Sequence, residues 1–286
     1  MNITISKLGK LADISSNYDG ILSDIWGVVH NGLIPNEQAV AALVKYRASG
    51  GRVVLVTNAS RTYDYVKKML DEMGVNEKAY DAIVSSGDVT RKYIARYKGE
   101  IVHHVGPPYD HPVFAGLGII KGEAKNAKVI VTTGLYNDDD SLEIYEKHLQ
   151  QWRELELPMI CTNPDKVVEI GNKLYYCAGA LADLYLQMGG EVILAGKPNS
   201  PIYMAAFAEF KRVNDKEIPH NKILAIGDSV RTDAIGAAKH NLDFLFISGS
   251  IHAKEISASN LIEAEMIGEL VSPAKANVIG YQVILK

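Results

Sequence analysis

Four apolar runs in this chain end in polar residues that complement one another. Ile21-Leu22 leads to Asp24, and RVVLVTN, 52–58, ends in Thr57-Asn58. EVILAGK, 191–197, ends in Lys197. KILAIGD, 222–228, ends in Asp228, with Asp233 close behind. Asp24 and Asp228 offer hard oxygen ligands that suit Mg²⁺. Thr57 and Asn58 can donate hydrogen bonds to phosphoryl oxygens, and Lys197 brings a point positive charge to the same oxygens. A carboxylate facing a phosphate neutralised in this way can act as a nucleophile. Without cation and lysine, an anionic nucleophile is repelled by an anionic substrate. Any one of these residues alone is more often a cap, a turn residue or a solvated lysine. Their order along the chain, each after an apolar run, carries the reading.

Such residues can share a site only if the chain brings the run ends together. Strand-like and helix-like segments alternate in a way that does so. ILSDI, 21–25, is a buried strand. Pro35-Asn36 opens a helix with Asn36 as N-cap and an apolar stripe at Val40, Leu43 and Val44, and Gly50-Gly51 ends it. The valine-rich run 52–58 has the pattern of a parallel strand covered on both faces. A second helix carries Val66, Met69, Leu70 and Met73 and stops at Gly74. DAIVSSGD and RKYIARY repeat strand then helix. After residue 190 the rhythm resumes, with strands at 191–197, 222–228 and 243–248 and helices in PIYMAAFAEFKRV and around TDAIGAAKH. This is the βαβ pattern of a doubly wound, Rossmann-like parallel sheet. Ligands bind such sheets outside the carboxyl ends of the strands, which is where the four polar groups fall. The middle of the chain is less regular, with strand candidates EIVHHVG, KVIVTTG and MICTNP and a helix near 139–154. Its length suits a second α/β module inserted into the first: 1–78 and 186–286 as the core, 79–185 as the insertion.

The bulk numbers agree. A chain of 286 residues exceeds one typical domain. Thirty basic residues against 34 acidic ones, a net charge of −4, argue against nucleic acid as partner. Cys161 and Cys177 lack metal-ligand spacing and fit a reducing cytosol. The first twenty residues lack the apolar core of a secretory signal, and no run approaches the roughly 18 apolar residues of a membrane span. The expectation is a cytoplasmic protein that engages neither membrane nor nucleic acid. Its oligomeric state is open, a homodimer being one option.

The motifs Asp24-Ile25-Trp26-Gly27-Val28, Val56-Thr57-Asn58, Gly196-Lys197-Pro198 and Gly227-Asp228 with Asp233 resemble the four motifs of the haloacid dehalogenase-like hydrolases. Cys161-Thr162-Asn163-Pro164-Asp165 and the long insertion resemble the NagD-like sugar and nucleotide phosphatase branch, in which a large α/β cap covers the core. The resemblance implies a Mg²⁺-dependent phosphatase of small phosphorylated metabolites. It makes Asp24 the nucleophile and a metal ligand, Asp228 the second carboxylate ligand, and the carbonyl of Trp26 a further ligand. Asp233 orients the metal site, and Thr57, Asn58 and Lys197 hold the phosphoryl group. Asn163 and Asp165, in a cap loop, are the first choice for substrate contacts. Ser86 aligns with a polar position near the cap hinge and receives no role.

The chain departs from the family at Trp26, where the usual residue is an aspartate that protonates the leaving oxygen. Indole donates one hydrogen bond but exchanges no proton at neutral pH. A backbone carbonyl ligand survives the change, while acid–base help worth about 10²–10⁴-fold in rate is lost. Either the substrate has a good leaving group, or another group such as His30 stands in, or the chain binds phosphate ligands at a vestigial hydrolase site. Hydrolysis of a non-phosphate bond is disfavoured by Asp228 and the Thr/Lys grip. Elsewhere, His103 and His104 are adjacent on a strand and face opposite ways, and Asp138-Asp139-Asp140 forms an acidic helix start.

Overall fold

A computed structural model describes residues 4–170, 173–259 and 261–286. The strands are β1 (Gly20–Asp24), β2 (Arg52–Thr57), β3 (Ala82–Ser85), β4 (Ile101–Val105), β5 (Ile120–Lys121), β6 (Val129–Thr132), β7 (Met159–Cys161), β8 (Val167–Ile170), β9 (Lys173–Tyr176), β10 (Val192–Leu194), β11 (Ile223–Gly227), β12 (Asp243–Ile247) and β13 (Asn277–Gln282). Helices used below are α1 (Glu37–Ala48), α2 (Tyr63–Glu72), α3 (Ser86–Ile94), α4 (Glu146–Glu154) and α5 (Ala178–Gln187). The chain packs into two compact units. One holds the residues up to Thr57, Lys67–Val84 and Tyr203–Lys286; the other holds Asn58–Val66 and Ser85–Ile202.

The first unit is built on a six-stranded sheet in the order β13-β12-β11-β1-β2-β3. β1 pairs in parallel with β11 on one side and β2 on the other, Gly20 opposite Ile223 and Arg52. The connections run outward from β1 through β2 to β3, then start again at β11 and run the other way. β1 and β11 therefore flank the point where strand order reverses, the place where open α/β sheets bind ligands. Val53, Val54 and Leu55 are fully buried, as a strand covered on both faces requires. α1 starts where its cap dictates: Asn36 Oδ1 accepts from the Ala39 amide at 3.3 Å. Ala39, Val40, Leu43 and Tyr46 form its buried face; Val44, expected in the stripe, is only partly buried.

The second unit has its own sheet, β10-β7-β6-β4-β5, with parallel pairs throughout. Ile130, Met159 and Cys161 face α4 and α5; Val129, Val131 and Ile160 face the other way, with Ile94 of α3. His103 and His104 do diverge, His103 against Trp152 and His104 against Phe114. β8 and β9 form a separate antiparallel pair.

One expectation fails. The strand before Lys197 pairs with β7 and belongs to the second sheet, not to the sheet that carries Asp24 and Asp228. An apolar three-residue strand carries no mark of which parallel sheet it joins. The helix expected near 139–154 begins as a 3₁₀ turn at Leu142 and becomes α only at Glu146, and β13 closes the first sheet at an edge where the sequence suggested no strand.

Candidate active site

The first unit gathers three carboxylates. Asp24 is the last residue of β1, Asp228 follows β11, and Asp233 lies in a π-helical turn, Val230–Ala234. One oxygen from each lies within 4.8 Å of the others, and the three residues are 8%, 6% and 5% exposed. Because β1 and β11 pair in register, the two strand ends are bound to be neighbours. The π turn adds Asp233, whose Oδ2 accepts from the Ser229 amide at 3.2 Å. Asp24 is steered by its own strand end, Oδ1 accepting from the Ile25 amide at 2.8 Å. Glycines admit these carboxylates. A Cβ on Gly27 would lie 2.0 Å from Asp228 Oδ2, and one on Gly227 would lie 2.2 Å from Asp233 Cγ. Gly27 also sits at φ +84, which L side chains rarely adopt.

The loop after Asp24 folds back tightly. The amides of Val29 and His30 both donate to the Ile25 carbonyl, and the Gly27 amide donates to the His30 carbonyl at 2.8 Å. The Trp26 indole meets His30 edge to face, ring centroids 4.9 Å apart, and covers Gly32, where a Cβ would lie 2.4 Å from the ring. His30, considered above as a stand-in acid or base, is buried in this loop. It is 1% exposed, and burial pushes its pKa down to about 4. Its Nδ1 accepts from the Gly32 amide at 2.9 Å, so the imidazole is neutral with its proton on Nε2, which has no partner among the described residues. His30 packs the loop that Trp26 covers.

The second unit holds the lysine. Lys197 is 3% exposed, and its backbone is clamped by one side chain. Asn58 Oδ1 accepts from the Lys197 amide at 2.7 Å, and Asn58 Nδ2 donates to the Lys197 carbonyl at 3.2 Å and to Asp165 Oδ1 at 2.9 Å. Both amide hydrogens and the amide oxygen are thus engaged. The Asn58 side chain positions the lysine and does not hold a phosphoryl oxygen itself. Asp165, the first choice for substrate contact, braces Asn58 through Oδ1. Asn163 closes the turn that presents Asp165, its Oδ1 accepting from the Asp165 amide at 3.0 Å. Gly196 is required by the same packing: a Cβ there would lie 2.6 Å from Asn58 Oδ1 and from Ser86 Oγ. Thr57, adjacent in sequence to Asn58, closes β2 in the first unit and is 6% exposed.

Buried carboxylates this close repel one another, and a divalent cation relieves that repulsion. Hard oxygens of this kind fit Mg²⁺ or a similar ion. Residues 21–120 match the family described as haloacid dehalogenase-like hydrolase, and residues 194–269 match one described as HAD-hydrolase-like. A solved haloacid dehalogenase-like family hydrolase from Brucella suis 1330 is 39% identical over 98% of this chain and 100% of its own, with a TM-score of 0.88. The chain belongs to the haloacid dehalogenase-like hydrolase family. Two more distant structures share the fold. A possible sugar phosphatase from Cytophaga hutchinsonii is 20% identical over 98% of this chain and 99% of its own, TM-score 0.78. A glycerol phosphate phosphatase from Mycobacterium tuberculosis, solved with magnesium, is 23% identical over 86% of this chain and 73% of its own, TM-score 0.64. No curated protein sequence matches the chain.

Proposed function

We propose that this hydrolase is a Mg²⁺-dependent phosphatase of small phosphorylated metabolites, of the sugar and nucleotide phosphatase kind. The observation that carries the reading is the triad of buried carboxylates at the switch point of the first sheet. Asp24 is the nucleophile: its carboxylate attacks phosphorus, the leaving-group oxygen departs, and water then cleaves the aspartyl-phosphate to restore the carboxylate and release phosphate. Asp228, Asp24 and the Trp26 carbonyl are the residues that would hold the ion, with Asp233 fixing the arrangement around them. The ion supplies charge neutralisation at the phosphoryl oxygens. Thr57 and Lys197 hold the phosphoryl group, and Asn58, braced by Asp165, holds Lys197 in place.

Trp26 sets the range of the reaction. No proton-exchanging side chain stands two residues after the nucleophile, and His30 is neutral and buried. Turnover is therefore slow on alkyl phosphates and favours good leaving groups such as acyl or aryl phosphates. We assign the unit built on the second sheet, β10 included, as the inserted cap module, and the unit built on the first sheet as the core. Buried free thiols at Cys161 and Cys177 agree with a cytoplasmic setting. Phosphate release from acetyl phosphate and p-nitrophenyl phosphate with Mg²⁺, beside Asp24→Asn, tests the proposal. Release by the parent and loss in the variant are expected. Binding of Mg²⁺ with no release from either compound would instead mark a phosphate-ligand binding protein.

A further inference from the structure

The loop after β12 carries a histidine, His252, that the proposed mechanism does not use, and within the first unit it lies beside the carboxylate triad. β13 anchors this loop. The Ser248 and Gly249 amides donate to the Gln282 and Val283 carbonyls, each at 2.9 Å, and a Cβ on Gly249 would lie 2.4 Å from the Val283 oxygen. Further along, the loop meets the surroundings of the triad at two points. Ser250 Oγ and Asp228 Oδ2 both lie within 2.6 Å of the position that a Cβ would take on Gly27. The Ser250 carbonyl accepts from the Ala253 amide at 2.8 Å, and the residue inside that turn, His252, reaches Val230. The His252 side chain is 19% exposed, its ring centroid 6.1 Å from that of buried Phe246.

Both ring nitrogens of His252 are engaged. Nδ1 lies 3.1 Å from Glu255 Oε2, and Nε2 accepts from the Val230 amide at 3.5 Å. A carboxylate opposite Nδ1 calls for a proton there, and an amide N–H opposite Nε2 calls for a bare lone pair. The two contacts select one tautomer. Val230 opens the π turn Val230–Ala234, and the first amide of a helical turn has no partner within it. That turn carries Asp233 and closes on Ser229, whose carbonyl accepts from the Asp233 and Ala234 amides at 2.9 and 3.1 Å. The Ser229 amide, next to Asp228, donates to Asp233 Oδ2. The two amides that follow Asp228 are thus held by Asp233 and by His252. We infer that His252 is a positioning residue for the carboxylate triad. With Glu255 fixing its tautomer, it caps the Val230 amide and so holds Asp228 and Asp233 at the spacing an ion requires. The inference rests on the ion-binding reading above and adds to it a residue outside the motifs that resemble the family.

Three measurements test it, and none needs turnover. Long-range proton–nitrogen correlation spectra of protein with isotope-labelled histidine read the tautomer, the His252 signal being the one lost in His252→Gln. A protonated Nδ1 and a bare Nε2 are expected in the parent, and Glu255→Ala spreads the proton over both nitrogens. Amide exchange of Val230 reads the cap. His252→Ala speeds it roughly 3- to 10-fold, as loss of one hydrogen bond implies, and leaves the amides of β1 and β11 unchanged. His252→Gln, whose Oε1 can accept in place of Nε2, restores the protection. Calorimetric titration with Mg²⁺ reads the consequence. His252→Ala weakens binding on the order of 10- to 100-fold, as loss of a group that orients metal ligands does, and His252→Gln recovers most of it. Should His252→Ala fail to fold, Glu255→Ala carries the test, with a smaller loss in the same direction. A parent that binds no Mg²⁺ overturns the ion reading, and the tautomer and the Val230 exchange then decide alone whether His252 holds the turn. A ring protonated at Nε2 in the parent would overturn the inference. Equal Mg²⁺ affinity in the parent and His252→Ala would do the same, even with faster Val230 exchange.

Discussion

Asp24, Asp228 and Asp233 hold three carboxylates within 4.8 Å of one another at no more than 8% exposure. At that spacing two unit charges repel by about 3 kcal/mol for an effective dielectric constant near 20. Asp228→Asn should therefore raise the melting temperature in EDTA and lose most of the stabilisation that Mg²⁺ gives the parent. A variant that melts lower in EDTA and keeps the full Mg²⁺ shift would contradict the ion-holding role. Trp26→Asp restores a proton-exchanging group where the indole now covers Gly32. It should raise turnover of alkyl phosphates by about 10²-fold or more and change that of acetyl phosphate little. Equal effects on both would remove the leaving-group explanation. At this scale the sequence was informative about residue types and less so about partners. Asp24 and Asp228 stand where their strand ends predict. Asn58 was expected to hold a phosphoryl oxygen, yet its amide is used up on Lys197 and Asp165, 139 and 107 residues away in sequence. Those pairings are non-local, and no local pattern in the chain encodes them.

Register between β1 and β11 makes neighbours of Asp24 and Asp228, and the loop after β1 completes their surroundings. Gly27 serves that loop twice, through φ +84 and through its approach to Asp228 Oδ2. Gly27→Ala should cost about 1–3 kcal/mol of stability and weaken Mg²⁺ binding, measured by chemical denaturation and by calorimetric titration. Unchanged Mg²⁺ affinity would show that the close approach is not needed. In the second sheet, His104 on β4 offers a pH test. Burial, with smaller contributions from His111, Lys121 and His103, pushes its pKa down to about 3, and its Nε2 lies 2.9 Å from Thr133 Oγ1. The unfolded chain takes up a proton near pH 6.5 that the folded one refuses, so stability contributed by the neutral ring falls as pH drops from about 6.5 towards 3. The parent should lose more stability between pH 7 and 5 than His104→Gln does. Parallel losses would rule out this histidine as the source. Elements were legible where period and caps were strong, as in α1 with Asn36. They were not where a short apolar strand could join either parallel sheet, as β10 did, or where a helix opens with an irregular turn, as the π turn carrying Asp233 does.

Across the molecule, the family, the doubly wound first sheet and the carboxylate triad converge on one chemistry. Among the described residues no helix is long and apolar enough to cross a membrane. On the phosphatase reading proposed above, a net charge of −4 leaves the attraction for an anionic substrate to local positive charge, a bound Mg²⁺ first. Chelation should then abolish turnover, and added Mg²⁺ should restore it. The measurement closest to the central claim is mass spectrometry of the protein acid-quenched during turnover of acetyl phosphate with Mg²⁺. A phosphoryl adduct on the peptide that contains Asp24, absent in EDTA and absent from Asp24→Asn, is the predicted result. Sustained turnover by Asp24→Asn, or an adduct on any other residue, would contradict it.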